Sequence, residues 1–218
     1  MTRKIKHHLT DALLMGYAAG TLPEAFNLVV ATHISMCDDC RAALAEFEAV
    51  GASVMMDSGA VAMDDGALAA VLDRLDDDDV EAAPPARTQQ SGLFPMPLQN
   101  YVGGDLPAVR WRKIGGGVSQ MVLPCDDGAA TVRLLHIPAG TAVPDHGHHG
   151  TELTLVLQGA FCDEVDRFGA GDVEVANEDL DHMPVAELGE DCICLAASEA
   201  PLRFKGWLPR IAQRIVGI

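Results

Sequence analysis

A change of pattern near residues 76–99 constrains the fold of this chain more than any other feature of its sequence. The stretch DDDDVEAAPPARTQQSG there runs from an acidic block through two prolines into polar residues. Because it can bury too little apolar surface to offset the entropy of ordering it, we interpret it as a linker between two domains. We place the first domain at residues 1–81, the linker at 82–99 and the second domain at 100–218. The 218 residues, 49% of them hydrophobic, suffice for two cores.

The residues before the linker show the signals of four helices. Thr10 is suited to cap the first helix, and Gly20 is suited to end it in the left-handed conformation. The sequence TLPE at 21–24 matches a capping box at the start of the second helix, in which Thr21 and Glu24 satisfy each other's end. Apolar residues at helical spacing then outline the four helices, with Leu13, Leu14 and Tyr17 in the first, Phe26, Val29, Val30 and His33 in the second, Ala43, Leu44, Phe47 and Val50 in the third, and Leu68, Val71, Leu72 and Leu75 in the fourth. Such a small all-α unit has a thin core, which is the setting in which a structural metal contributes folding free energy.

The sequence HISMCDDC at residues 33–40 contains three candidate metal ligands. On a helix with about 3.6 residues per turn, His33 and Cys37 lie on the same face, and Cys40 follows one turn later. One imidazole and two thiolates form the soft donor set that tetrahedral zinc prefers, at spacings typical of structural sites. Redox chemistry at the Cys-x2-Cys pair would need a βαβ context that this region lacks, although displacement of zinc by thiol oxidation stays open.

Two histidines just before the first helix are candidates for the fourth ligand. If the helical register extends back to them, His8 shares its stripe with Ala12, Met15 and Ala19, whereas His7 sits above Asp11 and Leu14. The more apolar stripe faces inward, so we favour His8 and expect His7 to be a solvent-exposed neighbour, with His7 kept as the alternative ligand. The predicted zinc site is therefore made by His8, His33, Cys37 and Cys40. Four protein ligands leave no open position, so we expect no chemistry at this ion.

After the linker the pattern changes to short strands separated by Gly, Pro and Asp. The strand-like segments are VRWRK, VSQMVL, ATVRLLHI, LTLVLQG, GDVEVA, CICLAAS and PLRFKG. Their spacing is that of a sandwich or barrel, and the region has neither a phosphate-binding glycine loop nor a βαβ alternation. We therefore predict an all-β second domain, most simply an antiparallel barrel.

A second candidate metal site lies within residues 140–159. His146 and His148 are two apart, so they point to the same side of a strand, and Glu152 has the same parity. Far downstream, His182 could complete a set of three histidines and one carboxylate. This donor mix suits Zn, Fe, Mn or Ni and does not choose among them.

These residues carry a resemblance to the cupins. Gly140, His146-x-His148, Glu152 and Gly159 fit the first cupin motif at every fixed position. The second motif is partly kept, since its glycine and histidine hold their places as Gly171 and His182, whereas Asn177, Asp179 and Ala186 stand where Pro, Gly and Asn are usual. The resemblance implies a double-stranded β-helix barrel that binds Zn or another divalent transition metal through His146, His148, Glu152 and His182.

The first domain resembles the zinc-binding anti-sigma domain, because an upstream histidine precedes His-x3-Cys-x2-Cys. Its fusion to a cupin is similar to the ChrR-type anti-sigma factors over essentially the whole chain apart from the linker. This resemblance implies a cytoplasmic transcriptional regulator that binds an extracytoplasmic-function sigma factor and keeps it from RNA polymerase core. It also implies that the cupin half responds to singlet oxygen and related oxidants, with release of the sigma factor.

The charge of the chain is compatible with such a partner. The net charge of -17 argues against direct nucleic-acid binding, which needs clustered Lys and Arg. Up to Glu81 the chain carries 15 acidic residues against 5 basic ones, and this acidic surface could cover the basic promoter-binding surfaces of a sigma factor. Acidity that serves only solubility is the alternative. No run of about 18 apolar residues and no signal-type apolar core appears, so we expect no membrane span and a cytoplasmic location.

The main alternative function is a metal-dependent cupin enzyme, such as a dioxygenase or isomerase, with the helices as an assembly module. The cations of the second domain, Arg133 and Arg167 among them, are isolated in sequence, and no Arg or Lys cluster near the motif would hold a small acid. We therefore expect no enzymatic activity and no small-molecule substrate.

Four cysteines outside the zinc site have no assigned role. Cys192 and Cys194 are two apart on a strand, which puts them on one face but makes them poorly placed to bridge each other. Cys125 and Cys162 could be partners, or all four could be small buried hydrophobes. The sequence does not choose between oxidant sensing and packing for them.

Overall fold

The computed structural model describes residues 4–75, 92–126, 128, 130–147, 149–200 and 203–204. Within these residues the helices precede the strands, which confirms the predicted order of an all-α part and an all-β part. The helices are α1 (Asp11–Ala18), α2 (Glu24–Ile34), α3 (Asp38–Asp57), α4 (Ala67–Asp73) and α5 (Met96–Val102), and a short 3-10 helix follows at Leu106–Ala108.

The ends of α1 form as the sequence predicts. Thr10 is the N-cap residue, and its hydroxyl oxygen accepts a hydrogen bond from the Leu13 amide at 3.3 Å. Gly20, just beyond the helix, has a φ of +67°, a conformation that glycine adopts without steric cost. Local capping therefore explains both ends of this helix.

The capping box predicted for α2 is wrong. The Thr21 hydroxyl donates to the carbonyl of Gly16, and α2 has no side-chain cap. The Glu24 carboxylate instead accepts hydrogen bonds from the Tyr101 hydroxyl at 2.7 Å and from the Asp126 amide at 2.6 Å. Glu24 therefore bonds to residues that are distant in sequence and does not cap the helix.

In the described part of the chain the strands pair antiparallel and form one six-stranded and two three-stranded sheets. The strands are β1 (Arg112–Gly115), β2 (Val118–Leu123), β3 (Thr131–Ile137), β4 (His146–Gly147), β5 (Glu152–Gln158), β6 (Ala160–Cys162), β7 (Arg167–Gly169), β8 (Val173–Ala176), β9 (Asp181–His182), β10 (Val185–Ala186), β11 (Cys192–Ser198) and β12 (Arg203–Phe204). The large sheet has the order β1-β2-β3-β11-β5-β8, and the smaller sheets have the orders β10-β6-β7 and β12-β4-β9. The predicted antiparallel β architecture is confirmed.

The helices and the large sheet share one hydrophobic cluster. Val29 and Val30 of α2 are fully buried, and they belong to the same cluster as Leu155 and Leu195 of the large sheet. A second cluster lies inside the barrel, where Phe161 packs among the inward-facing side chains. Because α2 lies against the outer face of the sheet, the helical part completes its core on the barrel. The two parts differ in secondary structure, but they share one hydrophobic core.

The later part of the predicted linker is folded. Phe94 and Leu98 are buried in the shared cluster, and the Asp105 carboxylate accepts hydrogen bonds from the amides of Leu93 and Phe94. The linker expected over 82–99 therefore does not extend through 92–99, because apolar residues there find partners that a local composition window cannot show. Residues 82–91 lie outside the described residues.

Candidate metal centres and interaction surface

The first candidate centre lies where α2 meets α3. His33 is in the last turn of α2, Cys37 is the N-cap residue of α3, and Cys40 is in the first turn of α3. The backbone amide of Cys37 donates to the His33 carbonyl at 2.9 Å, which closes the turn between the helices. The predicted trio is thus presented by the end of α2 and the start of α3, and the residues CDDC begin α3.

Cys37 has an extended backbone, and its sulfur accepts a hydrogen bond from the Cys40 amide at 3.4 Å. This bond satisfies one of the amide groups that have no partner within the first turn of a helix. The N-terminus of α3 therefore supports the Cys37 ligand.

His8 reaches the two cysteines from the segment before α1. Its Nδ1 lies 3.3 Å from the Cys37 sulfur and 3.6 Å from the Cys40 sulfur. Because α1 begins only at Asp11, the helical stripe used to choose His8 does not exist. His7 points to the barrel and packs on Phe168, with ring centroids 4.4 Å apart, so the expectation that it is solvent-exposed is wrong. Because successive side chains of an extended segment point to opposite sides, His7 and His8 face different partners.

The geometry of the four groups fits a tetrahedral zinc ion. One ligand atom from each of His8, His33, Cys37 and Cys40 lies within 4.8 Å of the others, and all but His8 are buried. His33 Nε2 is 3.3 Å from the Cys40 sulfur. Zinc–sulfur and zinc–nitrogen bonds of about 2.3 and 2.05 Å imply nitrogen–sulfur edges of about 3.5 Å in a tetrahedron. The observed separations match these edges.

Burial shifts the pKa values of two of these ligands, His33 and Cys40. It lowers the pKa of His33 to about 4, with the charge of His8 adding to the effect, so the ring is neutral and able to coordinate a metal. Burial also raises the pKa of Cys40 to about 11. A divalent cation is the partner that makes such a buried thiolate favourable.

The second candidate centre lies inside the barrel, where β4 pairs with β9. His146 and His182 are opposite each other in this pair, both are buried, and their ring centroids are 4.7 Å apart. His146 Nδ1 is 2.8 Å from the carbonyl oxygen of Pro144, and His182 Nδ1 is 2.8 Å from the Asp163 carboxylate. With Nδ1 of each ring so engaged, Nε2 is the atom that each would present to a metal.

Glu152 is half-buried at the start of β5, near these histidines. Burial, together with the charge of Glu174, raises its pKa to about 7, while Arg133 and His182 act in the opposite direction. Its carboxylate is therefore within electrostatic reach of the histidine site. The fourth predicted ligand, His148, lies outside the described residues.

Two acidic residues of this centre were missed by the sequence analysis. The ligand atoms of Asp163, Glu174 and His182 lie within 4.8 Å of one another, and their side chains are almost fully buried. Burial alone would favour protonated Asp163, but hydrogen bonds with Glu174 and His182 lower its pKa to about 2. The alternation of Glu174 with Val173 and Val175 favours an outward-facing carboxylate, and Asp163 lies in a turn with no recognisable pattern, so neither residue has a signal in the sequence.

The barrel interior also holds Cys192 and Cys194. Their sulfur atoms are 3.4 Å apart, closer than the extended spacing suggested, and both remain free thiols. The β5–β11 pairing has an irregularity between Ile193 and Cys194, where bulges locally bend a strand. Cys125 and Cys162 are half-buried, and the Cys162 thiol donates to Glu187 at 3.5 Å.

A run of exposed apolar residues follows the first centre along the chain. We define the apolar arm as residues 48–75, which comprise the second half of α3, a loop and α4. Every large hydrophobic side chain of the arm is more than half exposed, namely Val50, Val54, Met55, Met56, Val61, Met63, Leu68, Val71, Leu72 and Leu75. Exposed apolar surface of this extent is typical of protein interaction sites. None of the helices in the described part of the chain is long and apolar enough to span a membrane.

Comparison with known proteins identifies the family. Residues 100–201 match the family model described as the ChrR cupin-like domain. The anti-sigma-E factor ChrR of Cereibacter sphaeroides is 58% identical over 209 residues, which cover 96% of this chain and 97% of that protein. The chain belongs to the ChrR family of anti-sigma factors. A crystal structure of Rhodobacter sphaeroides SigE in complex with the anti-sigma ChrR shows 57% identity and a TM-score of 0.79, covering 89% of this chain and 99% of that chain.

Membership of the ChrR family confirms the predicted fold class, a helical part followed by a cupin barrel. It also decides between the two functional classes that the sequence left open. The ChrR relatives are anti-sigma factors, so the alternative of a metal-dependent cupin enzyme is set aside and the prediction that the chain is not an enzyme is confirmed.

Proposed function

We propose that this ChrR-type chain binds an extracytoplasmic-function sigma factor through its apolar arm and releases it under oxidant stress. The observation that carries the proposal is the arm itself, whose large hydrophobic side chains are all exposed. The relative in the solved complex is bound to a sigma factor, SigE. Sequestration of a sigma factor would take place in the cytoplasm, where RNA polymerase acts.

The composition of the arm suits a basic protein partner with an apolar groove. Its methionines adapt to irregular apolar surfaces, and both helices present exposed valine side chains, accompanied by leucines in α4. Between residues 48 and 75 there are five acidic residues and a single basic one, Arg74. Apolar contact would supply affinity, and the negative charge would steer encounter with the surfaces that a sigma factor uses for DNA.

The first metal centre supports this role by fixing the base of the arm. A zinc ion would be held by His8, His33, Cys37 and Cys40. It would cross-link the segment before α1 to the turn between α2 and α3. The arm continues directly from α3, so the direction in which it projects depends on this turn. Four protein ligands give the ion a structural role.

The barrel centre is the proposed site of oxidant sensing. His146, His148, Glu152 and His182 would hold Zn or another divalent transition metal, with Asp163 orienting His182 through its Nδ1. Imidazole rings and the thiols of Cys192 and Cys194 concentrate electron-rich groups in this interior, which suits a response to singlet oxygen.

The sensing proposal predicts separable effects in a reporter strain that carries the chain and its sigma factor. His146→Ala should keep inhibition of sigma-dependent transcription and blunt its induction by singlet oxygen. His149→Ala is the matched control, because His149 is an exposed histidine of the same loop. Normal induction in the His146→Ala strain would exclude the barrel centre from sensing.

Co-purification tests the binding proposal most simply. When the chain is co-expressed with SigE, the sigma factor of the solved complex, we expect the two to elute together. Met55→Asp and Leu72→Asp should each weaken the complex by about tenfold or more. Each would bury a charged carboxylate in the interface with the sigma factor in place of an apolar side chain. Leu188→Asp, at an exposed leucine of the barrel, should leave it unchanged. Equal co-purification of all three variants would refute a role for the arm.

A further inference from the structure

The segment that carries His8 is bonded to the barrel immediately before the ligand. The backbone amides of Lys6 and His7 both donate to Asp172 Oδ1, at 2.6 and 3.0 Å. The amide of Val173 donates to the His7 carbonyl at 3.2 Å. Two bonds to the Asp172 side chain and one backbone–backbone bond therefore fix the two residues that precede His8 to the turn before β8 and to its first residue.

Asp172 is itself held rigidly in the turn between β7 and β8. Its second carboxylate oxygen, Oδ2, accepts a hydrogen bond from the Gly169 amide at 2.8 Å, and the residue is only 5% exposed. Hydrogen bonds from amides to an ionised carboxylate are among the strong ones in proteins. Both oxygens of this buried carboxylate are used, one within the barrel and one on the N-terminal segment.

The shape of the turn is fitted to the same segment. Gly171 has a φ of +96°, and a Cβ placed there would lie 2.7 Å from Cγ1 of Ile5. The His7 ring rests on Phe168, and its Nε2 is 3.1 Å from the Asp166 carboxylate. A glycine that admits the segment, and side chains on both sides of it, make this turn a docking site for residues 5–7.

This arrangement gives the four ligands of the first centre two different supports. His33, Cys37 and Cys40 belong to α2 and α3. His8 belongs to a segment whose position is set by Asp172 of the barrel. Since His8 is also the one exposed ligand, the barrel contact is what limits its freedom to leave the cluster.

We propose that Asp172 is a positioning residue that holds His8 at the N-terminal zinc site, so that the barrel controls how long this zinc ion stays bound. The inference rests on the zinc site of the proposed function, and it adds a regulatory contact between the two halves. It places that contact at a single carboxylate in the turn before β8. Displacement of this turn would withdraw His8 from the site.

The test is the rate at which the full-length zinc-loaded chain transfers zinc to a chromogenic chelator. The phase that belongs to the N-terminal site is identified as the one absent from Cys40→Ala. We expect Asp172→Ala to accelerate this phase by about tenfold or more, the usual effect of losing a group that orients a metal ligand. Asp172→Asn should have a smaller effect, because its amide oxygen can still accept from Lys6 and His7. Glu190→Gln, at an exposed acidic residue of the barrel, should have none.

A second background separates positioning from general destabilisation. In a His8→Ala chain, Asp172→Ala should cause no further acceleration, because the residue acts through His8. An equal acceleration in both backgrounds, or none in either, would overturn the proposal. SigE binding is not part of this readout, so a chain that fails to bind SigE contradicts the proposed function alone. An unchanged zinc release in a chain that binds SigE contradicts the positioning role alone.

Discussion

At the residue scale, the first metal centre depends on where each ligand stands in its element. Cys37 combines two roles, since its sulfur faces the other ligands and caps the helix that carries Cys40. His8 and His7 project from opposite sides of the extended segment. His8 therefore faces the cysteines, whereas His7 faces Phe168. Residue types and spacing thus predicted which four side chains the structure brings together, but the reason for choosing His8 required the path of the segment, which depends on the barrel.

One consequence at this scale concerns Cys40. Cys40→Ala removes a buried ligand, so the purified chain should contain one equivalent of zinc less than the wild type. Since binding of a structural ion adds directly to folding free energy, we expect the thermal midpoint to fall by about 5 °C or more. The measurements are elemental analysis and thermal unfolding followed by circular dichroism.

The matched control is Cys162→Ala, which removes a half-buried cysteine of the barrel outside the cluster. It should keep both the zinc content and the larger part of the thermal stability. Unchanged zinc content in the Cys40→Ala chain would show that this cysteine is not a ligand.

At the element scale, elements with local signals were predictable and those made by distant contacts were not. The segments VSQMVL and CICLAAS coincide with β2 and β11, because six or seven residues of apolar and β-branched character suffice to indicate a strand. Strands of two or three residues, such as β4 and β9, have no such signal, and they exist because the barrel brings them together. For the same reason the first part of α5, residues 96–99, was assigned to the linker.

A hydrogen-bond network centred on Glu24 joins α2 to α5 and to the loop after β2. The Tyr101 hydroxyl donates to Glu24, and this bond, together with burial, raises the pKa of Tyr101 to about 12. In the unfolded chain a tyrosine loses its proton near pH 10. The stabilisation is therefore fully present below about pH 10, and it is lost as the pH rises through about 12.

Tyr101→Phe should lower the free energy of unfolding by about 1–2 kcal/mol below pH 10, a modest value because the ring is partly exposed. The difference from the wild type should shrink as the pH rises from 10 towards 12, because the variant lacks the titrating group. Urea unfolding at several pH values measures both effects. Tyr17→Phe, which removes a tyrosine hydroxyl outside the Glu24 network, serves as the control. A gap between wild type and Tyr101→Phe that is constant with pH would contradict this account.

At the scale of the whole molecule, the two halves are joined by packing and by specific contacts. The outer face of the large sheet buries α2, and the turn before β8 holds the segment that carries His8. Glu174 lies on β8, two residues after Asp172, and its Oε1 is 3.2 Å from Nδ1 of His182 in the barrel centre. β8 and the turn before it thus contact both the barrel centre and the segment that carries His8, which gives the sensing half a short route to the half that carries the apolar arm. A division by sequence composition could not show this.

The central claim is that the chain sequesters a sigma factor with an apolar arm whose base is fixed by zinc. The most direct measurement is the affinity of the full-length chain for SigE, determined by calorimetry before and after removal of zinc by a chelator. We predict tight one-to-one binding with zinc in place, a loss of at least about a hundredfold after its removal, and recovery when Zn²⁺ is returned. Equal affinity with and without the ion, or no binding of SigE in either state, would contradict the claim.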